Sequence, residues 1–91
     1  MKSMRRSKQD IIFDMLRAIQ QKGGRIKPTH LLYKSNLSHQ RMKEYVDELK
    51  QRGLVKDELL KEKTMFILTD QGYEFLQKFQ QLKAFTEAFG L

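Results

Sequence analysis

No cysteine occurs among the 91 residues. That excludes disulfide staples, thiolate metal sites and cysteine nucleophiles, and it fits an intracellular protein. No apolar run approaches the roughly twenty residues that cross a bilayer, and the basic N-terminus is not followed by an apolar signal segment. A cytoplasmic protein that neither spans nor lies on a membrane is therefore expected. The only histidines, His30 and His39, are nine residues apart without the spacing of a metal site. Phosphate loop, dinucleotide fingerprint and nucleophile elbow are all missing, and the carboxylates are scattered. Neither catalysis nor a cofactor or metal is expected.

What is present is positive charge, unevenly placed. Residues 1–56 hold 14 of the 18 basic and 5 of the 11 acidic residues, a net charge of +9, whereas residues 57–91 carry −2. Such clustering attracts a polyanion and makes its binding salt-dependent. Lys2, Arg5, Arg6 and Lys8 form a basic N-terminal arm. At this length one small domain is expected, with a single core.

The most structured signal runs from Lys27 to Val55, KPTHLLYKSNLSHQRMKEYVDELKQRGLV. Pro28, the single proline, starts a helix of about two turns because a first-position proline gives up only an N–H that would be unpaired anyway. Leu31 and Leu32 are its buried side. Lys34, Ser35 and Asn36 break the pattern, Asn36 being able to turn left-handed, and Leu37 returns to the core. Ser38 is the natural N-cap of a second helix whose buried face is Met42, Tyr45, Val46 and Leu49, ended by Gly53. His39, Gln40, Arg41, Lys43 and Glu44 face outward near its start. The layout is a helix-turn-helix.

Ahead of it, Ser7 with Asp10 forms a weak capping box for an amphipathic helix carrying Ile11, Ile12, Met15, Leu16 and Ile19, ending before Gly23 and Gly24. Residues 25–27, 54 to about 58 and 64–68 read as short strands, with 59–63 as a hairpin tip. Thr69 caps a last helix from Asp70 nearly to the C-terminus. This order is that of a winged helix-turn-helix, mainly α with a small β-hairpin wing, followed by a long C-terminal helix. Residues 1–69 would be the arm and the winged domain, and 70–91 the helix that pairs two subunits.

The segments IIFDMLRAI, THLLYKSNLSHQRMKEYVDELKQRGLV and FILTDQGYEFLQKF extend this reading. Through them, from Ile11 to about Leu82, the chain resembles the archaeal winged-helix family of small dimeric DNA-binding proteins, transcription regulators and chromosomal proteins. The resemblance implies binding of duplex DNA, in the nucleoid, by the helix that begins at Ser38, and wing contact with the flanking backbone or minor groove. It also implies pairing through the last helix, often as an antiparallel coiled coil.

The residues point the same way for the last helix. Phe75, Phe79, Leu82 and Phe89 follow a heptad spacing, widened by Leu76 and Phe85. Its distal phenylalanines outrun a winged domain of this size and predict self-association into a homodimer. On the DNA side, Arg41 and Gln40 are the expected base readers, because each can make two hydrogen bonds to one base edge. His39 and Lys43 border them, Ser38 and the helix N-terminus hold a phosphate, and Arg5, Arg6, Lys27 and Lys34 add charge to the backbone contact. In the wing, Lys61 and Lys63 are the candidate contacts, countered by Asp57, Glu58 and Glu62, while Leu59 and Leu60 either anchor the hairpin or pack on a partner. The competing expectation is a winged helix that serves as a protein-binding adaptor; its mark would be an apolar reading face, against which Arg41 and Lys43 stand.

Overall fold

A computed structural model describes residues 6–91. The expected arm residues Lys2 and Arg5 lie outside the described residues. The elements are α1 (Lys8–Gln21), β1 (Arg25–Ile26), α2 (Pro28–Ser35), α3 (His39–Gln51), β2 (Val55–Leu60), β3 (Lys63–Leu68) and α4 (Asp70–Ala88). The strands form one antiparallel sheet in the order β1-β3-β2.

The helix starts are those the sequence specifies. Ser7 and Asp10 close a full capping box on α1, and the Ser38 and Thr69 hydroxyls accept the Arg41 and Gly72 N–H groups at the heads of α3 and α4. Pro28 is the first residue of α2, and Asn36 ends that helix in the left-handed region at φ 56°. The buried face of α1 (Ile11, Met15, Leu16, Ile19) meets Leu31 from α2, Met42, Val46 and Leu49 from α3, and Ile26, Val55, Phe66 and Leu68 from the sheet. Leu16 and Leu31 are fully enclosed.

The hairpin is longer and its tip tighter than the sequence suggested. Pairing runs from Val55↔Leu68 to Leu60↔Lys63, so Leu59 and Leu60 belong to β2, and only Lys61 and Glu62 turn the chain. Both turn residues are left-handed, at φ 50° and 65°. A two-residue turn of this kind matches the twist of the strands but favours Asn-Gly, and without that dipeptide the sequence carried no signal for it. Leu59 is 71% exposed and stands outside the core of the protomer.

Helix α4 divides along its length. Its first half is part of the core: Leu76 is fully buried, and Phe75 and Phe79, expected to face a partner, are half-buried on their own protomer. Phe79 stacks on Phe13 of α1 with ring centroids 5.2 Å apart. Gly72 makes this docking possible, since a β-carbon there would collide with the Leu54 carbonyl and the Leu68 side chain. Beyond Phe79 the helix leaves the core, and Leu82, Phe85 and Phe89 are 59, 62 and 68% exposed.

Candidate nucleic-acid interface

Helix α3 is held by its inner residues and presents three different edges. Met42, Val46 and Leu49 are buried. One edge, toward the wing, carries His39, Lys43, Asp47 and Lys50. With Pro28 and Phe66 these residues line an open cleft of about 260 Å³ between α3 and the sheet, floored by Met42 and Val46. A neighbouring depression lined by Lys27, Pro28, Thr29, Lys63 and Thr64 continues it past the head of α2. Strand pairing explains the continuity: β1 lies against β3, so the chain leaving β1 at Lys27 runs beside the first residues of β3.

The outermost edge carries Gln40 and Glu44, joined by a 3.5 Å hydrogen bond from the Gln40 amide. Arg41 is on the third edge, 5.8 Å from the centre of the Tyr45 ring. The sequence placed Arg41 and Lys43 on one reading face; the helix turns about 200° between them, so they flank the outermost edge from opposite sides.

Two of the three acidic residues on α3 are engaged by cations, Glu48 by a residue of α1 and Asp47 by Lys50 on its own edge. Glu48 pairs with Lys8 of α1 at 2.8 Å, and Lys50 lies between Asp57 of the wing, 2.9 Å away, and Asp47, 3.7 Å away. The Lys8 hydrogen bond and charge, with Arg52 adding to them, hold the Glu48 carboxyl below its ordinary range against the opposing effect of partial burial. Arg41 and Lys43 have no ion-pair partner among the described residues. The first turn of α3 also contains no acidic residue. Its positive dipole end and open N–H groups at His39 and Gln40 are therefore available to an anion.

Two expected backbone contacts are placed differently. Arg6 is occupied by the fold: it donates from Nη1 to Asp14 at 3.0 Å and from Nη2 to the Ser35 carbonyl at 2.8 Å. Lys34 lies away from the cleft. Counting about 100° per residue from Pro28, which lines the cleft, Lys34 projects roughly 240° round α2 and His30 roughly 200°. Partial burial, then the charges of Lys22, Lys34 and Lys27, hold the His30 imidazole below its ordinary pKa. Lys22 and Thr29 carried no motif in the sequence, and His30 stood out there only as a histidine without metal-site spacing. The signal that could have found them is the interval between Asp14 and Glu44, which contains seven lysines and arginines and no acidic residue.

The described residues contain no grouping of three or more potential metal ligands, and no helix among them is long and apolar enough to cross a membrane. A three-helix head, a β-hairpin wing beside its third helix and an open cleft between them define a winged-helix protein. The family model for winged helix-turn-helix proteins matches residues 5–87, and the chain belongs to that family. No curated relative matches it in sequence. Among solved structures it is similar to Sso10a-2, a DNA-binding protein from Sulfolobus solfataricus, at 18% identity and a TM-score of 0.78, covering 92% of this chain and 85% of that one. F93 from STIV, a winged-helix DNA-binding protein, superposes at 13% identity and a TM-score of 0.73 over 86% and 90% of the two chains. TubR from Bacillus thuringiensis serovar israelensis pBtoxis, solved bound to 24 bp of tubC, gives 21% identity and a TM-score of 0.68 over 79% and 81%. These likenesses establish the fold, and the family and its structural neighbours are winged-helix proteins rather than enzymes.

Proposed function

We propose that this chain is a double-stranded DNA-binding protein of the cytoplasm and nucleoid, a transcription regulator or chromosomal architectural protein that acts as a homodimer. The observation that carries the reading is the cleft between α3 and the wing, lined by Lys43 and continued past the head of α2 by a depression lined by Lys27 and Lys63, while Asp47 on its edge is paired with Lys50. A row of positive charge beside a helix that can enter a major groove suits a sugar-phosphate strand lying between reading helix and wing. In this arrangement Gln40 and Arg41 reach base edges, Ser38 and the α3 N-terminus hold a phosphate, Lys43 and Lys27 contact the strand in the cleft, and Lys61, Lys63 and Arg5 extend the backbone contact. Residues 1–69 are the reading unit, and 70–91 bring two of them onto one duplex through Leu82, Phe85 and Phe89, with Phe75 and Phe79 at the root of the pairing surface.

The test is fluorescence anisotropy of a labelled duplex at about 50 and 200 mM salt. Contacts to six or more phosphates give a loss of affinity of roughly a thousandfold over that interval. Absence of binding at the lower salt refutes the reading and favours a protein partner at the same face.

A further inference from the structure

We propose that Lys22, His30 and Lys34 form a second phosphate-binding face, on the side of α2 away from the reading cleft, that holds a second duplex while α3 occupies the first. This rests on the DNA-binding reading above and extends it from one duplex per head to two.

The groups come from separate elements. Lys22 is the C-cap of α1, while His30 and Lys34 lie one turn apart on α2, about 6 Å along its axis. The α2 register puts His30 and Lys34 on one face, α1 packs along α2 and ends at Lys22, and the charges of Lys22, Lys34 and Lys27 all reach the His30 imidazole. The nearest acidic residues in sequence, Asp14 and Glu44, lie 16 and 14 positions from it, and Asp14 is bound by Arg6. Neither Lys22 nor Lys34 has an ion-pair partner among the described residues. Two lysines without carboxylate partners attract an anion, and a surface drawn from two elements fits a row of phosphates better than a single small ion.

Geometry separates this face from the first. Pro28 lines the cleft, and His30 and Lys34 stand on the far side of the same helix, so one straight strand does not lie against both. Tyr33, 81% exposed, occupies the arc between them and offers a phenolic donor at the border. Lys27, at the head of α2, lines the depression with Lys63 and also acts on His30, so it stands where the two faces meet.

The experiment uses the full chain and two duplexes. One duplex is fixed to beads and saturated with protein, and capture of a second, fluorescent duplex is measured; anisotropy reports affinity for a single duplex separately. The double variant Lys22→Gln with Lys34→Gln is compared with the native chain, its fold checked by circular dichroism. The expected result is single-duplex affinity within about twofold of native and capture reduced at least tenfold. Equal capture by the variant assigns bridging to the paired reading heads and overturns the proposal. A parallel loss of single-duplex affinity makes the two faces one surface and overturns it as well, as does a native chain that binds one duplex and captures no second. If the native chain binds no duplex in the anisotropy arm, the DNA-binding reading itself has failed.

Discussion

The Arg6 guanidinium donates to the backbone carbonyl of Ser35 at 2.8 Å, so the residue just before α1 holds the last turn of α2 immediately ahead of the reading helix. The same guanidinium is neutralised by Asp14. A residue that the charge pattern marked for DNA thus fixes the orientation of the turn through which α3 is presented.

Replacing Arg6 with Ala should accordingly reduce stability, by about 1 kcal/mol for a charge-assisted hydrogen bond at a half-exposed site. It should leave the salt dependence of DNA binding nearly unchanged. Lys43→Ala should do the opposite, lowering the slope of log K against log salt by about one with little change in melting temperature. Thermal unfolding and anisotropy on the same two variants check both halves.

Gln40 and Lys43 should also separate in sequence preference. Gln40→Ala is expected to alter the ranking of binding sites by about 1–3 kcal/mol at one base pair, whereas Lys43→Ala weakens all sites alike. Selection from a random-sequence pool with each variant measures this, and identical site profiles for the two would cancel the roles assigned to them.

The division within α4 predicts two kinds of phenylalanine. Phe79→Ala removes the ring stacked on Phe13 and should cost about 2 kcal/mol of protomer stability, less than the roughly 3–5 kcal/mol of a fully buried phenylalanine because the side chain is only partly buried. Phe85→Ser with Phe89→Ser should leave protomer packing intact and weaken dimerisation. Sedimentation equilibrium and denaturant unfolding distinguish the two classes; dimerisation unaffected by the double change would move the pairing surface elsewhere.

Stability should fall toward acid in two windows. His30 has a folded-state pKa below its unfolded value of 6.5, so its contribution is complete above that pH and is lost as the pH falls through the lower, folded value. Glu48, held below 4.5 first by its Lys8 hydrogen bond, likewise contributes above that value and ceases to as the pH falls past it. His30→Gln should flatten the first window and Lys8→Ala the second in melting curves recorded from about pH 7.5 to 3.5.

At the wing tip, Lys61 and Glu62 adopt left-handed backbone that L-residues enter at a cost of roughly 1 kcal/mol each. Lys61→Asn with Glu62→Gly should raise stability by about 1 kcal/mol, and the register Leu60↔Lys63 should persist. A lower melting temperature would show that the native side chains stabilise the turn.

Most of the scaffold is legible in the residues alone, because its determinants are local. A proline at a helix start, hydroxyl N-caps, an asparagine that can turn left-handed and apolar residues at helical spacing act over three or four residues, and they set α1, α2, α3 and α4 close to their observed limits. The charge asymmetry likewise pointed to a polyanion without any coordinates. Which groups share a surface depends on how the elements pack. That Lys27 lies beside Lys63 follows from strand pairing, that Arg6 is occupied by Ser35 and Asp14 follows from docking of α1 on α2, and that Phe79 belongs to the core while Phe85 does not follows from where α4 runs past the end of α1. Period and propensity say which side of an element is apolar; they carry no information about where that element ends relative to its neighbours, and this decides what remains exposed.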